Sequence, residues 1–367
     1  MRSFQKLIYM VKVRIRHLIL FVLLVMISQT IILAGPGDTN WMVKAKYGIF
    51  MHYQYRIMLG YCQINTNLTA HPDEKYPPAS AMTSKEWNQF VNGFDVKGFA
   101  NQMSEANVGW VLFCINDGPF AFHCAPNAAF DSITGYKPGD KCSNRDLIMD
   151  LAKALNPKGI KLIAYLSGMF GYPRDEKTAR GFGDDFLYRK PPTLESRKKH
   201  LRVLEEYAKR YGTKIAGWWF DGVIAGGYSE KDGYGYEKLA SIIYKANPES
   251  AVAFNFSDNV FGRLFPGVDN YTSGDQWSPS PLDLANLTPK IHPVTGDILW
   301  CGKIYCGDIY HGLGNSNRYT DDYLINWIKT CNSQGGVCIL DWPFDPKTGL
   351  IKDFGVKQII NIGKKVK

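Results

Sequence analysis

The sequence predicts a single (β/α)8 barrel, and three observations carry that prediction. Short apolar runs of strand character alternate with amphipathic stretches of helical period after residue 40, the pattern of a parallel sheet with crossover helices. The runs number about eight in 367 residues, which suits a closed barrel better than an open doubly wound sheet. No G-x-G-x-x-G or Walker loop follows an early run, which disfavours the nucleotide-binding open sheet.

The first element is a leader. Arg2, Lys6, Lys12, Arg14 and Arg16 precede an almost wholly apolar run, 18–34, that ends Ile-Leu-Ala-Gly-Pro, the form of a secretory signal with cleavage near Ala34. The run is long for a signal and short for a span, so an uncleaved N-terminal anchor is the alternative. Either way the rest of the chain is expected to be exported, secreted or periplasmic. Strands are then expected at 47–53, 108–116, 160–167, 214–222, 251–257, 271–277, 298–306 and 336–342. Helices are expected at 95–107, 145–155, 194–211, 236–245 and 321–333, the second opened by an S-x-x-D capping box at Ser143 and Asp146. The stretch 55–85, with Pro77-Pro78, is too long and irregular for a plain βα loop and is expected to cover the top of the barrel. With no Pro/Gly/Ser-rich linker and no internal repeat after residue 40, residues 35–367 read as one domain.

Composition narrows the function. A 45% hydrophobic, 14% aromatic chain can build a full core. The formal charge of +9 falls to +4 without the five basic residues of the leader, and no basic patch interleaved with aromatics follows, so nucleic acid is not the expected partner. All eight cysteines lie after the leader, where disulfides can persist. Cys301 and Cys306 are too far apart on one extended strand to pair, whereas Cys114 and Cys124 face each other more easily across a loop. There is no C-x-x-C, and His123-Cys124 is isolated, so no structural metal is expected. Asn67, Asn255, Asn270 and Asn286 begin glycosylation sequons.

The chemistry centres on Asp221, which ends the run Gly217-Trp218-Trp219-Phe220-Asp221. Strand alternation puts Asp221 and Trp219 on one face, Trp218 and Phe220 on the other. A carboxylate beside an indole at the C-terminal end of a barrel strand suits a sugar. An Asp before Gly222 also suits a turn cap, and any single rim residue has such a reading. Together, though, the strand ends bring His52, Asn116, Asp117, Ser167, Asp221, Asn255, Asp275 and Asp341 to one rim, with Tyr165, Trp219, Trp277 and Trp342 as aromatic walls.

These residues resemble the retaining α-L-fucosidase family of glycoside hydrolases, in order along most of the chain. Tyr47-Gly-Ile-Phe-Met-His52 is similar to the family's G-I-F-I-H-W segment. Phe94-Asp95 through Asn107 and Arg145-Asp146-Leu147 resemble its F-D-A and R-D-L helices, and Gly159 through Ser167 its G-L-K-F-G-L-Y-Y-S strand. Trp219-Phe220-Asp221-Gly222 matches the motif carrying the family's nucleophile, and Gln334-Gly335-Gly336 with Asp345-Pro346 resembles its K-G-G and D-P-D-G-T-I segment. The resemblance implies double displacement, with Asp221 attacking the anomeric carbon and a second carboxyl acting as acid then base. Tyr271 to Gln276 resembles the Y-T-P-E-Q of one branch, so Asp275 takes the acid/base role, with Asp117, Asp308 and Asp341 as alternatives. His52 is implied to bind a sugar hydroxyl. The family's K-H-H-D-G-F becomes Cys114-Ile115-Asn116-Asp117-Gly118-Pro119-Phe120, so Ile115 removes one imidazole donor and Asn116 substitutes another. The chain leaves no room for the family's C-terminal β-sandwich, so the catalytic barrel alone is expected. The expected substrate is an oligosaccharide or glycoconjugate with a terminal α-L-fucosyl or stereochemically related sugar, cleaved without a cofactor. A non-catalytic carbohydrate-binding barrel is the alternative.

Overall fold

A computed structural model describes residues 36–60, 79–116, 121–167, 175–184, 192–221, 233–255, 265, 267–274, 299–308 and 314–366. Its seven strands are β1 (Tyr47–Met51), β2 (Trp110–Cys114), β3 (Lys161–Ser167), β4 (Gly217–Asp221), β5 (Ala251–Phe254), β6 (Cys301–Tyr305) and β7 (Val337–Asp341). All pair in parallel in one sheet, ordered β5-β4-β3-β2-β1-β7-β6. Parallel strands buried on both faces read as unbroken apolar runs, which is why these segments stood out in the sequence.

The side-chain period of two divides each strand between two cores. Phe50, Leu112, Ile163, Tyr165, Trp219, Ala253, Cys301 and Ile339 pack together inside the curve of the sheet. Ile49, Val111, Leu162, Trp218, Phe220, Val252 and Leu340 face the helices. At the N-terminal end of the strands, helix α1 (Asn40–Ala45) sends Met42 into the inner core, and its Trp41 meets the edge of Trp110 at 5.9 Å. Gly48 makes room for that indole, since a Cβ there would lie 2.2 Å from Trp110 Nε1.

The outer layer includes α2 (Ser84–Gly93), α3 (Val96–Glu105), α4 (Leu147–Leu155), α5 (Leu194–Tyr211), α6 (Tyr236–Ala246), α7 (Asp321–Ser333) and α8 (Asp353–Val366). Five of them match the expected helices to within two residues; α2 and α8 were not anticipated. Local chemistry sets their starts: Thr83 and Glu86 close a capping box on α2, while Asp95, Thr193 and Thr320 cap α3, α5 and α7. At α4 the expected Ser143–Asp146 box does not form. Asp146 is itself the N-cap, accepting from Met149 N, and Ser143 Oγ donates instead to Arg145 O.

The expected strand 271–277 is reduced, within the described residues, to one parallel bridge between Tyr271 and Leu299. The segment nevertheless lies between β5 and β6: Asn270 N donates to Val252 O at 2.8 Å, Leu299 N to Asn270 O at 3.0 Å, and Thr272 N to Leu299 O at 2.9 Å. Thr272 Oγ1 then accepts from Cys301 N, a side chain standing in for main-chain pairing, and Gly274 turns away at φ +69. The seven described cysteines are buried and form no disulfide with one another, so the Cys114–Cys124 pairing is not formed; Cys124 Sγ instead donates to Cys114 O at 3.4 Å. No helix among the described residues is long and apolar enough to cross a membrane, and the leader, with most of the 55–85 stretch, lies outside them.

Candidate active site

The site assembles at the C-terminal ends of the strands, around Asp221. Both of its carboxylate oxygens are held: Tyr165 Oη donates to Oδ2 at 2.5 Å and Asn255 Nδ2 to Oδ1 at 2.7 Å. These partners come from β3 and from the residue just past β5, whose main-chain N–H donates to Phe220 O at 2.7 Å, so the sheet register itself aims the carboxylate. Burial, reinforced by the Asp221 charge, pushes the Tyr165 phenol well above its ordinary range, so it keeps its proton and donates it. Behind the phenol, Gln54 Nε2 donates to Tyr165 Oη at 3.4 Å, while the Arg56 guanidinium grips Gln54 Oε1 at 2.9 and 2.7 Å. On the other side Ser273 Oγ donates to Asn255 Oδ1 at 3.3 Å and Trp219 Nε1 to Ser273 O at 3.3 Å. Each charge-assisted bond is worth about 1.5–3 kcal/mol, enough to fix a short side chain in one orientation.

Trp219 and Tyr165 form the aromatic wall, stacked at 5.1 Å and 18°, with Phe50 edge-on to Trp219 at 5.8 Å. His52, buried just past β1, packs against Phe50 at 3.8 Å and places Nδ1 2.6 Å from Asp341 Oδ2 at the end of β7. Sequence reading missed the neighbour that completes this corner. Lys303 is only 6% exposed on β6; its Nζ lies 4.6 Å from both the Phe50 and Tyr305 ring centroids and donates to Tyr305 Oη at 3.0 Å. The signal was available, because alternation along the predicted strand sends residues 301, 303 and 305 inward together. Gln54 and Arg56 were missed as well, since they follow β1 in a segment read only as loop.

Of the expected site residues, Asp221, His52, Tyr165, Trp219, Asn255 and Asp341 are brought together. Asn116 lies at the same rim, but its amide is spent as a clamp: Nδ2 donates to Ser167 O at 2.9 Å and Oδ1 accepts from Ser167 N at 2.8 Å. That joins the ends of β2 and β3 and takes the main chain of Ser167 with it. Two expectations are corrected. Trp342 is no pocket wall; it follows inward-facing Asp341 by one residue, so it points outward into the helix layer against Gly355 of α8. Ile115 likewise packs in the outer core, so among described positions of that motif only Cys114 and Asn116 face the interior side. Asp308 serves its loop, accepting from Asn315 N at 2.8 Å. Asp117, Asp275 and Trp277 lie outside the described residues.

Comparison with known proteins fits this geometry. The family model described as Alpha-L-fucosidase matches residues 37–367. Similar solved structures include an α-L-fucosidase isoenzyme 1 from Paenibacillus thiaminolyticus, 17% identical, covering 89% of this chain and 74% of that one, with TM-score 0.59. A GH29 α-L-fucosidase trapped covalent intermediate from Bacteroides thetaiotaomicron is 18% identical, covering 90% and 75%, with TM-score 0.59. An endo-fucoidan hydrolase from glycoside hydrolase family 107 is 17% identical over 75% of this chain, with TM-score 0.60, and the chain spans half the length of that protein. No curated protein sequence matches. At such identities the structural likeness speaks to the fold.

Proposed function

The chain belongs to the α-L-fucosidase family, and on that premise we propose that it is an exported glycoside hydrolase that removes a terminal α-L-fucosyl or stereochemically related residue with retention. The observation that carries the proposal is Asp221, an oriented carboxylate at the C-terminal end of β4 with donors on both oxygens and an aromatic wall beside it. A retaining mechanism asks one carboxylate to attack the anomeric carbon and a second to protonate the departing oxygen and then deprotonate water. Asp221 is the nucleophile in this reading. Asp275 is the acid/base; in support, the described chain leading to it reaches the site, with Ser273 bound to Asn255 and Gly274 against the main chain of β6. The Bacteroides relative was trapped as a covalent intermediate with 2-fluoro-fucosyl fluoride, which supports a glycosyl-enzyme here.

His52 takes a sugar hydroxyl and Trp219 the apolar face of the ring, whereas Asn116 reaches the substrate only through the rim it braces. The segment 270–274, bonded to both β5 and β6, acts as the eighth strand that closes a (β/α)8 barrel, and residues 35–367 form one catalytic domain after an export leader. One observation favours a second reading: positions 115 and 116 carry Ile and Asn where the family motif has paired imidazoles, and the Asn116 amide bonds to Ser167, as a non-catalytic sugar-binding barrel would allow. Hydrolysis separates the two. Aryl α-L-fucoside and its galactose- and arabinose-configured relatives should release chromophore with wild type and not with Asp221→Asn. Binding without release across the panel would establish the second reading instead.

A further inference from the structure

Asp341 and Lys303 carry no role in the proposed reaction, yet both are buried ionisable groups, Asp341 beside His52 and Lys303 against the Phe50 and Tyr305 rings. Charged side chains are rarely buried without a partner or a task. Asp341 Oδ2 lies 2.6 Å from His52 Nδ1. Phe50, two residues before His52 and therefore on the same face, covers the imidazole at 3.8 Å, and Tyr305 lies nearly parallel to it at 6.4 Å and 23°. The ring plane is thus fixed by packing, with Nδ1 facing the carboxylate at 2.6 Å. Among the described residues, the ionisable groups on this corner include Lys303 and Tyr305 on β6, Cys306, whose main-chain N–H donates to Asp341 O at 2.8 Å, Tyr165 on β3 at 6.3 Å from the imidazole, and Asp221 on β4 behind Tyr165. Lys303 Nζ lies 4.6 Å from the Phe50 ring centroid, and the His52 ring packs on the same Phe50 at 3.8 Å.

We propose that Asp341 is a positioning residue that acts through His52: it holds the imidazole proton on Nδ1, so that Nε2 meets the sugar as a hydrogen-bond acceptor and selects a substrate hydroxyl able to donate. The proposal rests on the glycosidase reading for its ligand, but not for the tautomer. A carboxylate on one imidazole nitrogen sets the role of the other, and an amide in its place reverses that role.

Two measurements on the full mature chain test it. Long-range ¹⁵N–¹H NMR of the histidine rings, with His52 identified by the signal missing in His52→Gln, reports which nitrogen carries the proton in wild type and in Asp341→Asn. Calorimetric binding of methyl α-L-fucopyranoside and its monofluorinated analogues, each hydroxyl replaced in turn, reports whether a donating hydroxyl is required, because fluorine accepts but cannot donate. The expected results are Nδ1–H in wild type, Nε2–H in Asp341→Asn, and, at one hydroxyl, a preference over fluorine of about 10-fold in wild type that collapses in the variant. Nε2–H in wild type overturns the proposal with no variant needed. An unchanged hydroxyl-to-fluorine ratio in folded Asp341→Asn overturns the role while leaving the glycosidase reading intact. Failure of wild type to bind any of these sugars overturns the ligand assignment of both, and the NMR result then shows whether the Asp341–His52 pairing survives on its own.

Discussion

Tyr165→Phe removes one hydroxyl and keeps the ring that stacks on Trp219. The lost bond is the 2.5 Å donation to Asp221 Oδ2. A hydrogen bond to a charged group is worth about 1.5–3 kcal/mol, and at about 1.4 kcal/mol per decade that is roughly 10- to 100-fold in rate. The direction differs between the two chemical steps. In the proposed double displacement Asp221 loses charge during attack, so a donor on its oxygen stabilises the starting carboxylate as much as it orients it, and the two effects oppose. During breakdown of the glycosyl-enzyme the same oxygen regains charge, and the phenol stabilises it as it leaves. Tyr165→Phe should therefore slow breakdown about 10- to 100-fold. It should also lower kcat and KM together with a smaller change in kcat/KM, and produce a burst of aglycone equal to the enzyme concentration. Stopped-flow release of an aryl leaving group reads all three, and a melting curve checks that the stack has preserved the fold. A kcat within twofold of wild type, or a loss confined to kcat/KM with no burst, would refute this account of the phenol.

Trp342→Phe should lower stability by roughly 1–3 kcal/mol in urea unfolding, because it opens a gap in the outer core, while leaving KM unchanged; a raised KM would return Trp342 to the pocket. Asn116→Ala cuts both bonds to the Ser167 main chain and should cost about 1–3 kcal/mol in stability, with KM rising less than in His52→Gln. His123 is buried and its pKa is driven down from 6.5 to about 3 by that burial, so it stays neutral in the folded chain while the unfolded chain takes up a proton below about 6.5. Its contribution is therefore complete above pH 6.5 and drains away as pH falls towards 3, by roughly 3 kcal/mol at pH 4. Unfolding free energies from pH 7 to 4 should fall more steeply for wild type than for His123→Asn, and equal slopes would contradict this.

Much of this arrangement was legible in the sequence because parallel strands are written in unbroken apolar runs and their ends carry the polar residues. The Trp218/Trp219 division, Asp221 at a strand end and the helices at 194–211 and 321–333 all follow from period alone. The failures are of two kinds. Asp341 and Trp342 were both assigned to one pocket, as were Ile115 and Asn116, although adjacent strand residues point to opposite faces; the period held the answer. The Asn116 clamp on Ser167, the Gln54–Arg56 support and the Asp341–His52 pair depend on how distant strand ends meet, and no local pattern encodes that. The described part of the expected 271–277 strand, 271–274, pairs weakly for a local reason: Thr272 substitutes a hydroxyl for main-chain pairing, and Gly274 takes a left-handed φ of +69.

The central claim is that Asp221 forms the bond to the sugar. Incubation with 2-deoxy-2-fluoro-fucosyl fluoride, followed by intact-mass and peptide mass spectrometry, tests it directly, because the fluorine slows breakdown of the intermediate. The account predicts one adduct per chain, located on the peptide that contains Asp221 and absent from Asp221→Asn. An adduct on another carboxylate, or fluoride release with no covalent species, would contradict it.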